Sequence, residues 1–169
     1  FGQQEYIDEY ELQLLETYTA FHHYYVDELS ETEREMMIVG NRNMTHDEYK
    51  ECHVYRWIFM FGHYLAYTQY ISRYLRTAHD VSYKDFYISL LEHMKQNPDS
   101  FMGGELLKTV EAIDGVMAVE LPWGRIVDDV VPKFAWDFEE ATALLVAKNS
   151  DSFYSELKTF IDETYNIDP

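Results

Sequence analysis

The stretch His46–Arg76 constrains the fold most, because it predicts a single helix roughly 45 Å long at about 1.5 Å per residue. Thr45 and Glu48 form a capping box at its start. Apolar residues then recur on nearly every side of the helix: Tyr49, Cys52, Tyr55, Trp57, Phe59, Met60, Phe61, Tyr64, Leu65, Tyr67, Tyr70, Ile71 and Tyr74. Such a helix is buried by its neighbours, with Cys52 facing inward as an inert thiol. Gly62 permits a kink or a close crossing. We therefore expect an irregular helical bundle around one long central helix.

Further helices are predicted from helical spacing of apolar residues and from capping and stop signals. They are Gln4–Glu28, a helix capped by Ser82 and ended by Asn97–Pro98, Glu105–Ile113 stopping at Gly115, Trp136–Lys148 and Ser152–Tyr165. Met36–Val39 is a short apolar run that favours a strand, and we expect no other strand. The fold class is therefore mainly α.

One domain is expected over residues 1–169, because the chain shows no internal repeat, low-complexity tract or linker. The chain opens on Phe1 and Gly2 rather than on methionine, and it stops at Asp168 and Pro169. These ends predict a segment of a longer protein.

The formal charge of −18 comes from 31 acidic and 13 basic residues. This charge repels nucleic acid and anionic bilayers and favours a basic partner, or the basic part of a larger protein, although acidic surfaces also simply aid solubility. No apolar run approaches the roughly 20 residues that span a membrane, and no signal peptide is visible. A single cysteine fits a reducing compartment, so we expect a cytoplasmic protein.

No catalytic centre is recognisable in the sequence. Seven histidines invite a metal site, but none is spaced as Glu-x-x-His, His-x-x-Glu or His-x-x-x-His. Gly103 and Gly104 precede a predicted helix and form only a weak anion site. No nucleophile motif is present. We expect no catalytic residue and no metal or cofactor site in this chain.

Polar and aromatic residues interleave in two places, as a wall facing a small-molecule substrate requires. The first set lies on the central helix: His53, Arg56, Trp57, His63, Tyr67 and Gln69. The second set is Trp123 and Arg125 in the loop before the last helices. Core residues whose polar groups satisfy one another would give the same pattern, and the sequence leaves both interpretations open.

Several strings of this sequence resemble the C-terminal region of cobalamin-binding radical SAM proteins. They are His46–Lys50, Tyr55–Phe59, Leu65–Leu75, Val81–Tyr87, Trp136–Ala141 and Phe153–Lys158. The likeness covers roughly residues 35–165. Residues 1–34 lie outside it, and we expect them to be a helical connection from the catalytic barrel.

The resemblance implies a parent protein with a cobalamin domain and a radical SAM barrel, which use S-adenosylmethionine, a 4Fe–4S cluster and cobalamin. The cluster-binding Cys-x-x-x-Cys-x-x-Cys loop is absent here, and no catalytic residue carries over. The resemblance implies an accessory helical domain that packs on the barrel of its own parent, covers the active site and helps to bind the substrate. The alternative is an acidic interaction module, such as an immunity-type inhibitor of a basic partner. A free-standing helical enzyme is disfavoured, because no nucleophile, cluster or metal set is present.

Overall fold

A computed structural model of the chain describes residues 4–18, 24–25, 34–121 and 123–167. The fold is mainly α, as predicted. The helices are α1 (Gln4–Tyr10), α2 (His46–Phe59), a π-helical segment (Met60–Tyr64), α3 (Gln69–His79), α4 (Tyr83–Gln96), α5 (Phe101–Met117), α6 (Phe138–Lys148) and α7 (Ser150–Tyr165). The strands are β1 (Gln13–Tyr18), β2 (Tyr24–Tyr25), β3 (Arg34–Gly40), β4 (Arg125–Ile126) and β5 (Phe134–Trp136).

Two compact units divide the chain. Unit 1 takes in Phe1–Arg56 and Glu111–Asp137, and unit 2 takes in Trp57–Val110 and Phe138–Pro169. Helices α2 and α5 each contribute residues to both units. The single domain expected from the sequence stays a prediction.

Unit 1 carries the strands. β1 pairs antiparallel with β3, and β5 lies between β2 and β4 in a second antiparallel sheet. The strand predicted at residues 36–39 is confirmed within β3, but the expectation of no further strand was wrong. After β3, Arg42 donates to the Glu9 carbonyl oxygen and to the Glu11 carboxylate, at 2.8 and 3.1 Å. These bonds fasten the turn after β3 to the end of α1.

The helix predicted over Gln4–Glu28 was wrong. It ends at Tyr10, because Glu11 adopts a left-handed backbone conformation with a φ of 51°, and β1 begins two residues later. Residues 19–23 and 26–28 lie outside the described residues. Of the described part of residues 1–34, α1 is helical whereas β1 and β2 are strands, so the helical connection expected there is helical only in part. That this stretch connects to a catalytic barrel stays a prediction. Pairing with β3 satisfies the backbone hydrogen-bonding groups of β1. The helical spacing of apolar residues in this stretch did not reveal that pairing.

The single long central helix predicted over His46–Arg76 was wrong, because the helix is interrupted between α2 and α3. The Leu65 N–H donates to the Met60 carbonyl oxygen at 2.9 Å, which is the wider π-helical turn, and Ala66 then takes a φ of 70°. The chain turns before α3 begins. A Cβ atom on Gly62 would lie 2.7 Å from Thr68 Oγ1. The close approach expected at Gly62 is therefore confirmed, and it occurs within the turn itself.

Burial on the central stretch is also less than predicted. In α2 the buried residues are Trp57 and Ile58, whereas Tyr55 and Phe59 are exposed. Cys52 is exposed too, so the inert buried thiol was a wrong prediction. Earlier in the helix, Tyr49 and His53 are only half-buried, so α2 is not covered on all sides.

The core of unit 2 is built by α4, α6 and α7 around the end of α2. Its fully buried large side chains include Trp57, Phe86, Phe138, Phe153 and Phe160. The predicted caps are confirmed: Thr45 Oγ1 accepts the Glu48 amide at 3.2 Å, and Ser82 Oγ accepts the Asp85 amide at 3.0 Å.

Helix α5 starts four residues before the predicted position and continues past Gly115. Its first amides find partners from outside the helix. The Glu156 carboxylate of α7 accepts the N–H groups of Phe101 and Met102 at 2.7 and 2.8 Å, and Ser100 Oγ accepts the Gly103 N–H at 3.0 Å. Sequence signals within α5 did not show this start, because the capping carboxylate comes from a residue more than 50 positions later.

Candidate functional site

Three aromatic side chains of unit 1 pack together: Tyr49, His53 and Trp123. They are here called the His53 cluster. Tyr49 and His53 share one face of α2, and the Trp123 ring arrives from the loop after α5. The His53 ring meets both neighbours edge to face, with ring centroids 4.7 Å apart in each case. Burial, together with the smaller effect of the Arg56 charge, lowers the pKa of His53 to about 4. His53 is therefore a neutral imidazole near pH 7.

Local structure places these rings. Lys50 Nζ lies 2.8 Å from Asp114 Oδ1, which joins α2 to the end of α5 and raises the pKa of Lys50. Gly124 follows Trp123 with a φ of 122°, and a Cβ there would lie 2.7 Å from the Trp136 carbonyl oxygen. Only glycine fits this turn easily. The turn places the Trp123 ring against His53 of α2, directly before β4 begins to pair with β5.

Arg56 and Arg125 differ in exposure. Arg56 is exposed on α2, while Arg125 is buried on β4, where it is paired in register with Trp136. Both arginines carry interactions within the protein. A buried guanidinium is a weaker candidate for substrate contact than the exposed one.

Four aromatic side chains of unit 2 also pack together: Phe59, His63, Tyr83 and Tyr87. They are here called the His63 cluster. The His63 ring stacks on Phe59 with centroids 5.1 Å apart and meets Tyr83 edge-on at 5.1 Å. Burial lowers the pKa of His63, and the charge of Arg73 adds to the effect. The cluster sits where the π-helical segment replaces regular helix, a feature frequent at functional sites.

In both clusters the histidine Nδ1 atom is buried without a hydrogen-bond partner among the described residues. A neutral imidazole has one donor and one acceptor nitrogen, so each of these rings keeps unused hydrogen-bonding capacity.

Tyr67 and Gln69 use their polar groups inside the fold. The Tyr67 hydroxyl donates to the Ala143 carbonyl oxygen at 3.0 Å, and its ring stacks on Phe61. Burial raises the pKa of Tyr67. Gln69 Nε2 donates to the His63 carbonyl oxygen at 3.0 Å, across the turn between the π-helical segment and α3. These bonds fix the turn that carries His63.

Trp57 is a core side chain with no exposed surface. Its Nε1 donates to Thr142 Oγ1 at 3.1 Å, and Thr142 lies 3.4 Å from the buried carboxylate of Glu105. Trp57, Thr142 and Glu105 line a small, partly open and mostly apolar cavity of about 10 Å³, about the room that one water molecule needs. Trp57 therefore fits the second interpretation of the sequence pattern, a core residue with a satisfied polar atom.

The structure thus groups His53 with Trp123, and gathers His63, Tyr67 and Gln69 at one turn. That these residues face a substrate stays a prediction. The candidate sets predicted from the sequence left out four residues of these clusters: Tyr49, Phe59, Tyr83 and Tyr87. Tyr49 and Phe59 precede His53 and His63 by four residues each, and Tyr83 and Tyr87 are also four residues apart. That spacing was the available signal, because side chains four apart meet on a helix.

The chain does not fit the iron–sulfur cluster implied by the resemblance. A cluster needs several thiolates, and the sequence contains one cysteine, which is exposed on α2. Within the described ranges, no three or more His, Cys, Asp or Glu side chains are grouped to hold a metal ion. Among these same residues, no helix has the length and apolar character needed to cross a bilayer.

Comparison with known proteins gave two curated relatives, and no family model matches the chain. The 2-(S-pantetheinyl)-carbapenam-3-carboxylate methyltransferase of Streptantibioticus cattleyicolor is 28% identical over 142 residues, which cover 78% of this chain and 21% of that protein. The cobalamin-dependent radical SAM methyltransferase TokK of Streptomyces tokunonensis is 26% identical over 150 residues, which cover 82% of this chain and 22% of that protein.

The chain therefore spans about a fifth of the length of these two relatives. The resemblance noted in the sequence is confirmed to this extent: the chain is similar to a cobalamin-dependent radical SAM methyltransferase and to a second methyltransferase.

Proposed function

We propose that this chain is a non-catalytic helical domain of a cobalamin-dependent radical SAM methyltransferase. In that protein it packs beside the catalytic barrel, covers the active site and contributes aromatic and imidazole groups to substrate binding. The observation that carries the proposal is the similarity of about four-fifths of the chain to two methyltransferases that are each about five times longer than the matched region.

The chemistry of the two clusters supports this role. Radical intermediates survive where water is kept away, and aromatic rings with neutral imidazoles exclude water better than charged groups do. Burial favours the neutral form of both His53 and His63, as their lowered pKa values show. A wall of this kind can position a substrate through ring contacts and one or two hydrogen bonds.

Catalysis itself must be supplied from outside these 169 residues. Because the chain does not fit the cluster, we assign S-adenosylmethionine, the 4Fe–4S cluster and cobalamin to the rest of the parent protein. We assign no reaction step to any residue of this chain.

A genomic test comes first. The DNA upstream of the Phe1 codon should continue in frame and should encode a Cys-x-x-x-Cys-x-x-Cys loop. A start codon and ribosome-binding site directly before Phe1 would contradict the proposal.

A kinetic test addresses the substrate wall. In the full-length protein, His53→Phe and His63→Phe keep the ring contacts and remove the polar atoms, so each should raise KM while leaving the absorbance of the cluster unchanged. The matched control is His79→Phe, at the exposed end of α3. A suitable first substrate is the pantetheinyl carbapenam carboxylate in the name of the first relative. Wild-type KM and kcat in both cluster variants would remove the two walls from the proposal.

The net charge of −18 also favours the alternative of an acidic module that binds a basic partner. The genomic test separates the two functions, because a free-standing gene would leave this alternative as the better one.

A further inference from the structure

Three stacked rings in unit 2 join the core to the surface. The Trp57 ring lies nearly parallel to the Phe61 ring, with centroids 6.4 Å apart, and Phe61 stacks on Tyr67 with centroids 4.9 Å apart. Trp57 has no exposed surface, whereas Tyr67 is half-buried. Tyr154, which is 46% exposed, donates from its hydroxyl to the Tyr67 carbonyl oxygen at 3.4 Å. The stack therefore begins at a buried indole and ends at phenol rings that solvent reaches.

The buried end of this stack is also connected to a carboxylate. Trp57 Nε1 donates to Thr142 Oγ1 at 3.1 Å, and Thr142 Oγ1 donates to Glu105 Oε2 at 3.4 Å. Glu105 is 2% exposed, and Lys108 Nζ lies 3.1 Å from its other oxygen. A core tryptophan needs only one acceptor for its N–H, and a buried carboxylate behind that acceptor costs free energy. The two bonds in series form a path along which a proton can move from the indole to the carboxylate.

One-electron oxidation of a tryptophan uses both of these connections. An indole that has lost an electron is a much stronger acid at Nε1, so its proton requires an acceptor. Electrons pass readily between aromatic rings in contact, whereas protons move along hydrogen bonds. The ring stack supplies the path for the electron, and Thr142 and Glu105 supply the path for the proton.

We propose that Trp57 is a redox-active residue, which donates one electron through Phe61 and Tyr67 to an organic peroxyl radical at the surface. The Nε1–H bond breaks as the electron leaves. Its proton passes to Thr142 Oγ1, and the proton of the Thr142 hydroxyl passes to the Glu105 carboxylate. The peroxyl radical gains the electron, takes a proton from solvent and becomes a hydroperoxide. The other products are a neutral Trp57 radical and a protonated Glu105.

This inference rests on the proposed function only for the source of the oxidant. A radical enzyme forms carbon-centred radicals, and dioxygen that enters the site adds to them and gives peroxyl radicals. Closing an active site limits such side reactions. A covering domain that also reduces peroxyl radicals protects the parent protein from those that do form.

The test is freeze-quench electron paramagnetic resonance on the full-length protein, after a light flash oxidises added ruthenium tris-bipyridine in the absence of dioxygen. Deuteration of the tryptophan rings narrows the spectrum of a tryptophanyl radical and so identifies it. Wild-type protein should give this radical, and Trp57→Phe, shown to be folded by circular dichroism, should lose most of it. No tryptophanyl radical in the wild type, or an undiminished signal in Trp57→Phe, would overturn the proposal.

A second variant tests the proton path while the indole stays in place. Thr142→Val keeps the shape of the side chain and removes the hydroxyl, so the radical should form at least about tenfold more slowly, since a positioned proton acceptor typically contributes more than that. The matched control is Thr109→Val, because Thr109 is equally buried and its hydroxyl donates to the Glu105 carbonyl oxygen instead. Equal rates in the two variants would exclude the relay and overturn the proposal.

Methyl transfer is measured in the same preparations and separates this inference from the proposed function. Because the ruthenium complex supplies the oxidant, a protein that forms the Trp57 radical but transfers no methyl group would refute the proposed function alone. A protein that transfers methyl groups but forms no such radical would refute this inference alone.

Discussion

Replacing Gly103 and Gly104 by alanine, one at a time, should change stability in opposite directions. Both residues lie in the first turn of α5. A Cβ atom on Gly103 would lie 1.9 Å from the Asn97 carbonyl oxygen and 2.8 Å from the Met94 carbonyl oxygen. A Cβ atom on Gly104 would find its nearest neighbour, the Pro98 carbonyl oxygen, at 3.9 Å, an ordinary contact.

The magnitudes follow from these contacts. Gly104→Ala should stabilise the protein by about 0.5–1 kcal/mol, the usual difference between glycine and alanine in a helix. Gly103→Ala gains the same propensity, but the contact with Asn97 must open by about 1 Å and the obstacle is backbone, so a net loss of about 2–3 kcal/mol is expected. The backbone that must move is the C-cap of α4.

Thermal unfolding followed by circular dichroism measures both variants. For a chain of this size about 1 kcal/mol moves Tm by roughly 2–4 °C, so Gly103→Ala should lower Tm by about 4–12 °C and Gly104→Ala should raise it by about 1–4 °C. An unchanged or raised Tm for Gly103→Ala would refute the close packing of α5 on the end of α4.

Three further predictions concern other parts of the fold. Glu156→Gln replaces one capping oxygen of α5 by a donor and should cost about 1.5–3 kcal/mol in urea unfolding, while Glu163→Gln on the same helix should stay within about 0.5 kcal/mol; equal effects would contradict the cap. His53 has a folded pKa of about 4 against 6.5 when unfolded, so stability should fall as pH drops from 6.5 towards 4, by about 1–2 kcal/mol after allowance for solvent. His53→Phe should flatten that part of the pH–stability curve, and an unchanged slope would exclude His53 as its source. Trp57→Phe removes the bond to Thr142 and enlarges the neighbouring cavity, so it should destabilise the protein by about 1.5–3 kcal/mol in the same urea assay, and a neutral result would refute the core role.

Features set by neighbouring residues were predictable from the sequence. The capping box at Thr45 and the cap at Ser82 are confirmed, because each depends on a side chain and an amide three positions apart. The strand around residues 36–39 is confirmed because a short apolar run leaves few alternatives. The mainly α class followed from these local signals.

Features set by distant residues were not predictable. The apolar spacing of residues 4–28 fits a helix, yet β1 forms because the more distant strand β3 is available to pair with it. The start of α5 depends on Glu156, and the break after Tyr64 depends on packing of Thr68 over Gly62. A periodic pattern records which side chains could share a face, but not where the helix is interrupted.

The candidate site shows the same division. The sequence placed His53 and Trp123 in separate sets, and the fold brings their rings to 4.7 Å. Trp57 was grouped with His53 by composition, but it is the side chain of that set with no exposed surface. Interleaved polar and aromatic residues therefore identified the right helix without identifying which of its faces is open.

The capping of α5 by Glu156 also sets how the amide protons of that turn exchange with solvent. The N–H groups of Phe101 and Met102 are held by a carboxylate on α7, not by their own helix. Fraying of α5 alone therefore does not release them, and their exchange requires an opening that separates α7 from α5. In a hydrogen-exchange experiment these two amides at a helix start should report on the detachment of α7, a process that most first-turn amides would not detect.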